Sequence, residues 1–338
     1  MWEVGVTIGV GIIGAGVMGM GHARILASGM DGVELVAIQD INQERARSAA
    51  EECRARKAFD DPEKLISDVD VDAIVVVSPD DTHARLVMAC IRAGKPVLCE
   101  KPLAATIDEC RTIIDAEMAA GRRLVQVGYM RRFDPGYLAM REKLISGTYG
   151  SPVFLHCVHR NAVAPHFITS DMVITNAGVH EIDISRFLLE QEIVAVSVIS
   201  SRAPGKAPRR QPQLVVLETD RQVVIYIELY LDAGYGYDVR AEAVCEDGTV
   251  ALSPTPPIAV RQNGLEGFHI ESDWRVRFGD AYTNQMRAWL NSIQAGTSVG
   301  SSAWDGYIAS KTAQACLSAL KTCTRIQIQL EQTPPFYR

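Results

Sequence analysis

Six residues near the amino terminus, Gly14-Ala15-Gly16-Val17-Met18-Gly19, set the first constraint on what this chain folds into. They follow directly on an apolar run at residues 6–13 and open a stretch of helical composition, Val17–Ala27. An apolar strand, a glycine loop and a helix in that order begin a βαβ unit. The three glycines meet three needs: a tight turn at Gly14, backbone approach to a ligand at Gly16, and close helix–strand packing at Gly19. The N–H groups of this loop, through Val17 and Met18, face outward at the positive end of a helix dipole. That end suits the pyrophosphate of a dinucleotide.

The next hundred residues repeat the pattern. Apolar runs at 33–39, 73–78, 96–99 and 123–128 alternate with helical stretches at 43–56, 83–93 and 107–119. Continuously apolar strands separated by helices predict a doubly wound α/β domain with a parallel sheet covered on both faces. Beyond Tyr129 the pattern changes. A helix at 137–146, a strand at 152–160 and a helix at 177–189 lead into strands at 193–200, 213–218, 222–230, 237–245, 249–252 and 258–261. Thr219-Asp220-Arg221 and Glu246-Asp247-Gly248 are hairpin turns by composition, so this sheet is expected to be antiparallel. Helices at 281–293 and 303–321 close the chain. With 338 residues, too many for one ordinary core, the expectation is a Rossmann domain over 1–128 and an α+β domain over 129–338.

Three residues then carry chemistry. Asp40 ends the second strand, where a carboxylate accepts hydrogen bonds from the adenosine ribose and repels a 2′-phosphate; Ile41 and Asn42 supply no compensating cation, so NAD is expected over NADP. Lys101, in Glu100-Lys101-Pro102, follows the run 96–99 at the carboxyl edge of the parallel sheet, where ligands of such sheets bind. A lysine there is suited to hydrogen-bond a substrate hydroxyl and share its proton; a solvated strand-end lysine is the plain alternative. His180 lies early in the helical stretch 177–189 with Asn176 four residues before it, on one helix face if the helix is regular. Histidine titrates near neutrality and suits proton transfer from an alcohol, though a lone histidine on such a helix is more often a packed group.

Composition removes other classes. Lys and Arg number 34 against 41 Asp and Glu, giving a formal charge of −7, which argues against nucleic acid as partner. Arg54, Arg56 and Lys57, and Arg209 and Arg210, read as solvated surface. The eight cysteines form no CxxC pair and no Cys/His cluster at zinc spacing, so reduced thiols and no metal are expected. No apolar segment is long enough for a membrane helix, and the first residues lack the marks of a signal peptide, so a cytoplasmic location is expected.

At these residues the chain resembles the glucose–fructose oxidoreductase/inositol dehydrogenase (Gfo/Idh/MocA) family, most of all its bacterial inositol 2-dehydrogenases. The resemblance runs through GAGVMG with the following His22, IQDINQ around Asp40, CEKPLA around Lys101, RLVQVGYMRRFDPGY at 123–137, HCVHRN at 156–161, VHEID at 179–183, YGYDV at 235–239 and AWDGYIA at 303–309. It implies NAD-dependent oxidation of a cyclitol hydroxyl, with Lys101 and His180 as proton-transfer groups and Asn176 beside them. Ser78, Pro79, His83 and Glu100 are then expected at the cofactor site, and Arg131, His159, Asn161, Tyr235 and Tyr282 at the polyol. A large open antiparallel sheet in the second domain, packing into homodimers or tetramers, is also implied. The resemblance breaks at one place, where Asn176 replaces an aspartate and Ala177 and Gly178 replace bulkier residues. An aminocyclitol, amino sugar or hexose is the second substrate reading, and a non-catalytic NAD-binding sensor the reading of another class.

Overall fold

All six residues of the first strand, β1 (Ile8–Ile13), are buried, as a strand covered on both faces requires. The computed structural model describes residues 7–201, 209–252 and 259–338. From β1 the chain runs through α1 (Val17–Ala27), β2 (Val33–Gln39), α2 (Gln43–Cys53), β3 (Lys57–Phe59), α3 (Pro62–Ser67), β4 (Ala73–Val76), α4 (Asp80–Arg92), β5 (Val97–Cys99), α5 (Ile107–Ala120) and β6 (Val125–Val127). The parallel strands lie in the order β3-β2-β1-β4-β5-β6, with the order reversing between β1 and β4. Helix starts follow local chemistry: Asn42 accepts from the Arg45 N–H at the head of α2, and Thr106 with Glu109 forms a capping box on α5.

Two elements of this stretch, β3 and α3, were not expected. Lys57 is not simply solvated surface: it opens β3, which pairs with Ala37–Gln39, and its ammonium bridges Asp68 and Asp70 at 2.8 and 2.7 Å. Its three-residue strand is too short to show a period. Helix α3 begins at Pro62 behind the Asp61 cap.

The chain continues through α6 (Pro135–Ile145), β7 (Pro152–Arg160) and the short α7 (Ser170–Met172). A π-helical turn, Val173–Gly178, leads into α8 (Val179–Leu189). Strands β8 (Ile193–Ser200), β9 (Gln213–Thr219), β10 (Val224–Tyr230), β11 (Asp238–Cys245) and β12 (Gly248–Ala251) follow. The sheet order is β12-β11-β7-β10-β9-β8-β16, where β16 is Ile326–Gln327, and all pairs are antiparallel except β7 with β10. Residues of β9 and β10 alternate between buried and half-buried, the mark of a sheet with one face on the core and the other open. The open face carries Leu214, Val216, Tyr226 and Tyr230.

The strand expected at 258–261 falls partly outside the described residues. Its described part forms β13 (Val260–Gln262), which pairs with β14 (Leu265–Gly267) as a separate hairpin rather than joining the large sheet. Helix α9 (Trp274–Ala295) starts earlier than expected, and β15 (Ser301–Ser302) and α10 (Ala303–Thr322) follow.

Two compact units result. One holds residues through Met130 together with Tyr282–Ser310 and Thr333–Arg338; the other holds Arg131–Ala281 and Lys311–Gln332. A single cut after residue 128 therefore misses the later segments of the first unit. Met286, Trp289, Leu290 and Ile293 of α9 share one apolar cluster with Ile8, Val10, Ile12 and Leu98, and β15 pairs antiparallel with β6. All eight cysteines are free thiols, seven of them buried. Among the described residues no helix is long and apolar enough to cross a membrane.

Candidate active site

In the first unit the glycine loop leaves the carboxyl end of β1 at the point where strand order reverses. Gly14 has φ of +104°, and a Cβ there would lie 2.7 Å from the Val77 carbonyl oxygen. A Cβ on Gly19 would lie 1.8 Å from the Gly14 oxygen, so α1 packs against the loop only because residue 19 is glycine. Gly16 caps α1 with no side-chain hydrogen bond, has nothing within 4 Å of its Cβ position, and is exposed with Val17. This leaves the first N–H groups of α1 for an anion. Asp40 is buried; one carboxylate oxygen accepts the Ala15 N–H at 3.0 Å and the other the Asn42 N–H at 2.9 Å. Glycine turn, open helix end and acidic strand end together fit the pyrophosphate and ribose of NAD. Arg45, which the sequence reading did not single out, places Nη1 3.5 Å from Asp40 Oδ2.

The segment carrying Lys101 is fixed from both sides. The Glu100 N–H donates to the Val76 carbonyl at 2.9 Å, seating the segment against β4. The buried Glu100 carboxylate faces His22 Nε2 at 2.8 Å with one oxygen and accepts the Lys101 N–H at 3.3 Å with the other. His22 in turn meets the edge of the Tyr282 ring, centroids 5.7 Å apart. His83, expected to contact cofactor, has its ring nitrogens 2.7 Å from the Pro102 oxygen and 2.9 Å from the Ser78 oxygen. It ties the loop after β4 to the Glu-Lys-Pro segment, and Ser78 bonds Thr82 at the exposed start of α4, where Pro79 is the cap.

In the second unit Asn176 sits in the π-helical turn just ahead of α8, so its four-residue spacing to His180 spans a π-to-α junction rather than a regular helix. π-turns of this kind often mark functional sites. The small residues after it have a packing reason: Ala177 is buried, and a Cβ on Gly178 would lie 3.1 Å from Leu229 Cδ1 of β10. Asp171 faces Lys321 at 3.4 Å near the surface. His180 is buried, its ring centroid 6.5 Å from that of His159.

Arg131 was expected to reach the polyol. Instead its buried guanidinium is committed to Glu181, with Nη2 3.1 Å from His159 Nδ1 and the Phe278 ring 5.2 Å away. Glu181, at 0% exposure, also places Oε1 3.0 Å from His159 Nδ1. The Arg131 charge holds the Glu181 carboxyl below its ordinary range despite burial, and burial pushes the His159 imidazole down. The Asn161 Oδ1, buried, has no partner among the described residues. Tyr235 is 47% exposed and bonds Arg160 and Asp238 at 2.9 and 2.6 Å. Glu181 and His22 thus emerge as site residues that the sequence reading quoted but gave no role. A glutamate directly beside the helix histidine was the available signal.

The architecture and the glycine-loop site define a dinucleotide-binding oxidoreductase. The family model described as "Oxidoreductase family, NAD-binding Rossmann fold" matches residues 8–129, and its companion "Oxidoreductase family, C-terminal alpha/beta domain" matches 141–328. The chain belongs to this Gfo/Idh/MocA family. It is 48% identical to inositol 2-dehydrogenase 1 of Saccharopolyspora erythraea over 98% of this chain and 99% of that one. Inositol 2-dehydrogenase of Klebsiella pneumoniae is 41% identical over 97% and 98%. Among solved structures, myo-inositol dehydrogenase from Lactobacillus casei in complex with NAD(H) and myo-inositol superposes with a TM-score of 0.95 at 32% identity, covering 98% of this chain and 100% of that one.

Proposed function

We propose that this chain oxidises a secondary ring hydroxyl of an inositol to the ketone, with NAD as oxidant. The observation that carries the reading is an NAD-type glycine loop and buried Asp40 in the same chain as Lys101 and a buried His180, in a sequence similar throughout to inositol 2-dehydrogenases. NAD, when bound, supplies the hydride acceptor. Lys101 hydrogen-bonds the reacting oxygen and stabilises negative charge developing there, while His180 takes the hydroxyl proton as the C–H bond breaks. Glu100, bonded to His22 and to the Lys101 N–H, holds the lysine's backbone in place. His159 and Asn161 contact neighbouring ring hydroxyls, and Arg131 acts behind them through Glu181.

Asn176 favours a second substrate reading. An amide in the π-turn supplies no negative charge to favour an imidazolium, so another inositol stereoisomer, an aminocyclitol, an amino sugar or a hexose is the alternative to myo-inositol. The decisive measurement is NADH formation across a panel of inositols, inosamines and hexoses, compared by kcat/KM. Turnover with an inositol and NAD supports the proposal, and NAD binding with no turnover on any member would instead point to a sensor. The half-buried open face of the second sheet, with Leu214, Val216, Tyr226 and Tyr230, supports assembly into a homo-oligomer. Light scattering on the purified chain tests that. Eight free cysteines accord with a reducing, cytoplasmic setting.

A further inference from the structure

Between β7, which ends at Arg160, and α7, which starts at Ser170, the chain crosses residues 161–169 without regular secondary structure. Only Ala164 and Ile168 of this strap are buried, while Val163 and Phe167 are 75% and 69% exposed, so apolar packing alone does not fix its path. Polar groups hold its backbone instead. Arg209, read from composition as solvated surface, is 5% exposed. Its Nε donates to the Ile168 carbonyl at 2.7 Å, Nη2 to the Pro165 carbonyl at 2.8 Å and Nη1 to Asp232 Oδ2 at 2.6 Å. The other Asp232 oxygen accepts the Ala164 N–H at 3.0 Å. Gln211, fully buried, donates to the same carboxylate and accepts the Leu231 N–H at 3.1 Å. Gln213 Nε2 donates to the Ser170 carbonyl at 2.8 Å, and Ser170 Oγ accepts the Arg210 N–H at 3.0 Å.

The strap leaves β10 and returns to it. At its start the Asn161 N–H donates to the carbonyl of Tyr230, the last residue of β10, at 3.0 Å, and the Asn161 carbonyl accepts the Ala233 N–H at 2.9 Å. Beyond its end the chain runs through α7 into the π-turn of Asn176, where a Cβ on Gly178 would lie 3.1 Å from Leu229 Cδ1, next to Tyr230. From this arrangement we infer that Arg209 is a positioning residue: with Asp232 it holds the strap in one path and so sets how Asn161 and the π-turn of Asn176 meet the substrate. A guanidinium suits the task because its N–H donors form a rigid planar fork, able to serve three acceptors in fixed directions. Without it the Ile168 carbonyl loses this donor, and the Pro165 carbonyl keeps only the Ile168 N–H at 3.1 Å. The inference rests on the proposed reading that Asn161 and Asn176 face a polyol; the attachment of the strap to Arg209 does not.

Amide exchange and kinetics on the full-length chain test this, the first without any need for turnover. In Arg209→Met, peptides covering 162–178 should exchange about tenfold faster than in the parent, while those in α8 and β10 keep their rates. KM for inositol should rise about tenfold, the loss of roughly one hydrogen bond, with KM for NAD within about twofold. Arg209→Lys keeps the charge beside Asp232 but not the fork, so it should show the same pattern, and it serves in place of Arg209→Met if that variant does not fold. Unchanged exchange over 173–178, or parent kinetics in Arg209→Lys, overturns the inference. So does a lowered denaturant midpoint with unchanged KM for inositol, the mark of a residue that only stabilises the fold, when Asn161→Ala raises that KM. If Asn161→Ala leaves KM unchanged, or if the parent oxidises no inositol, the substrate reading falls and the exchange rates decide whether Arg209 holds the strap.

Discussion

The Asp40 carboxylate accepts the Ala15 N–H at 3.0 Å, so the strand-end acid and the glycine loop are locked together before any nucleotide arrives. Arg45 sits 3.5 Å from the same oxygen, half exposed. On the proposed reading, replacing Asp40 by Ser removes the acceptor for the ribose and frees that guanidinium. KM for NAD should rise by about tenfold or more, since a hydrogen bond to a charged group is worth roughly 1.5–3 kcal/mol. NADP should gain through Arg45 pairing with its 2′-phosphate. Steady-state kinetics with both cofactors check this, and Asp40→Ser/Arg45→Ala should lose the NADP gain.

Lys101→Ala and His180→Ala should each lower kcat by about 10²–10⁴, the usual yield of a positioned proton-transfer group. NAD affinity, measured by calorimetry, should change little in His180→Ala, which lies in the other unit from the glycine loop. Full turnover in both variants would end the proposed division of labour.

Asn176→Asp restores a carboxylate ahead of His180. An added negative charge favours the imidazolium and raises the pKa of the base. Because the base must be neutral to accept a proton, the acidic limb of the kcat/KM profile should move to higher pH. An unmoved limb would show that position 176 does not sense the imidazole.

Glu117 is buried in the first unit and accepts N–H groups from Leu124 and Val125 at 2.6 and 2.7 Å and the Tyr337 hydroxyl at 2.6 Å. Burial outweighs these bonds and raises its pKa above 4.5. A raised folded-state pKa means that stability is greatest below the unfolded value and declines as pH rises through the folded one. Glu117→Gln, which keeps an acceptor without the charge, should be insensitive over that window, so the wild type should lose ground to it as pH rises from about 4 toward neutrality. Denaturant unfolding of both proteins across that range measures the difference. Tyr337→Phe removes a donor from the same buried group and should cost about 1–3 kcal/mol at neutral pH.

Removing Arg131 should be worse. Its loss leaves Glu181 as an uncompensated buried charge, and breaking such a pair typically costs about 3–5 kcal/mol. Arg131→Met should therefore unfold at markedly lower denaturant, with the deficit reduced in Arg131→Met/Glu181→Met.

What the sequence disclosed depended on how local the physics is. The alternation of β1, α1 and β2 was legible because buried parallel strands are unbroken apolar runs and the glycine spacing is local. The strand-end position of Asp40 was legible for the same reason. Arg131 was not: its partner Glu181 is 50 residues away in sequence, and a basic residue in a site segment reads as a ligand until that partner is seen. The π-turn that carries Asn176 was not legible because the 3.6-residue period assumes a regular helix, and nothing in Val173–Gly178 announces the wider turn. The early start of α9 was hidden by Gly279 and by exposed residues such as Val276 at its head.

The first unit borrows residues 282–310 and 333–338 from the far end of the chain, and this constrains its biogenesis. While the ribosome is still making the second sheet, Ile8, Val10 and Leu98 lack the Trp289 and Ile293 side chains that complete their cluster, and Glu117 lacks Tyr337. The nucleotide-binding half, first to be synthesised, should be last to reach full protection against amide exchange. A fragment ending at residue 130 should emerge with an uncovered apolar flank that invites aggregation.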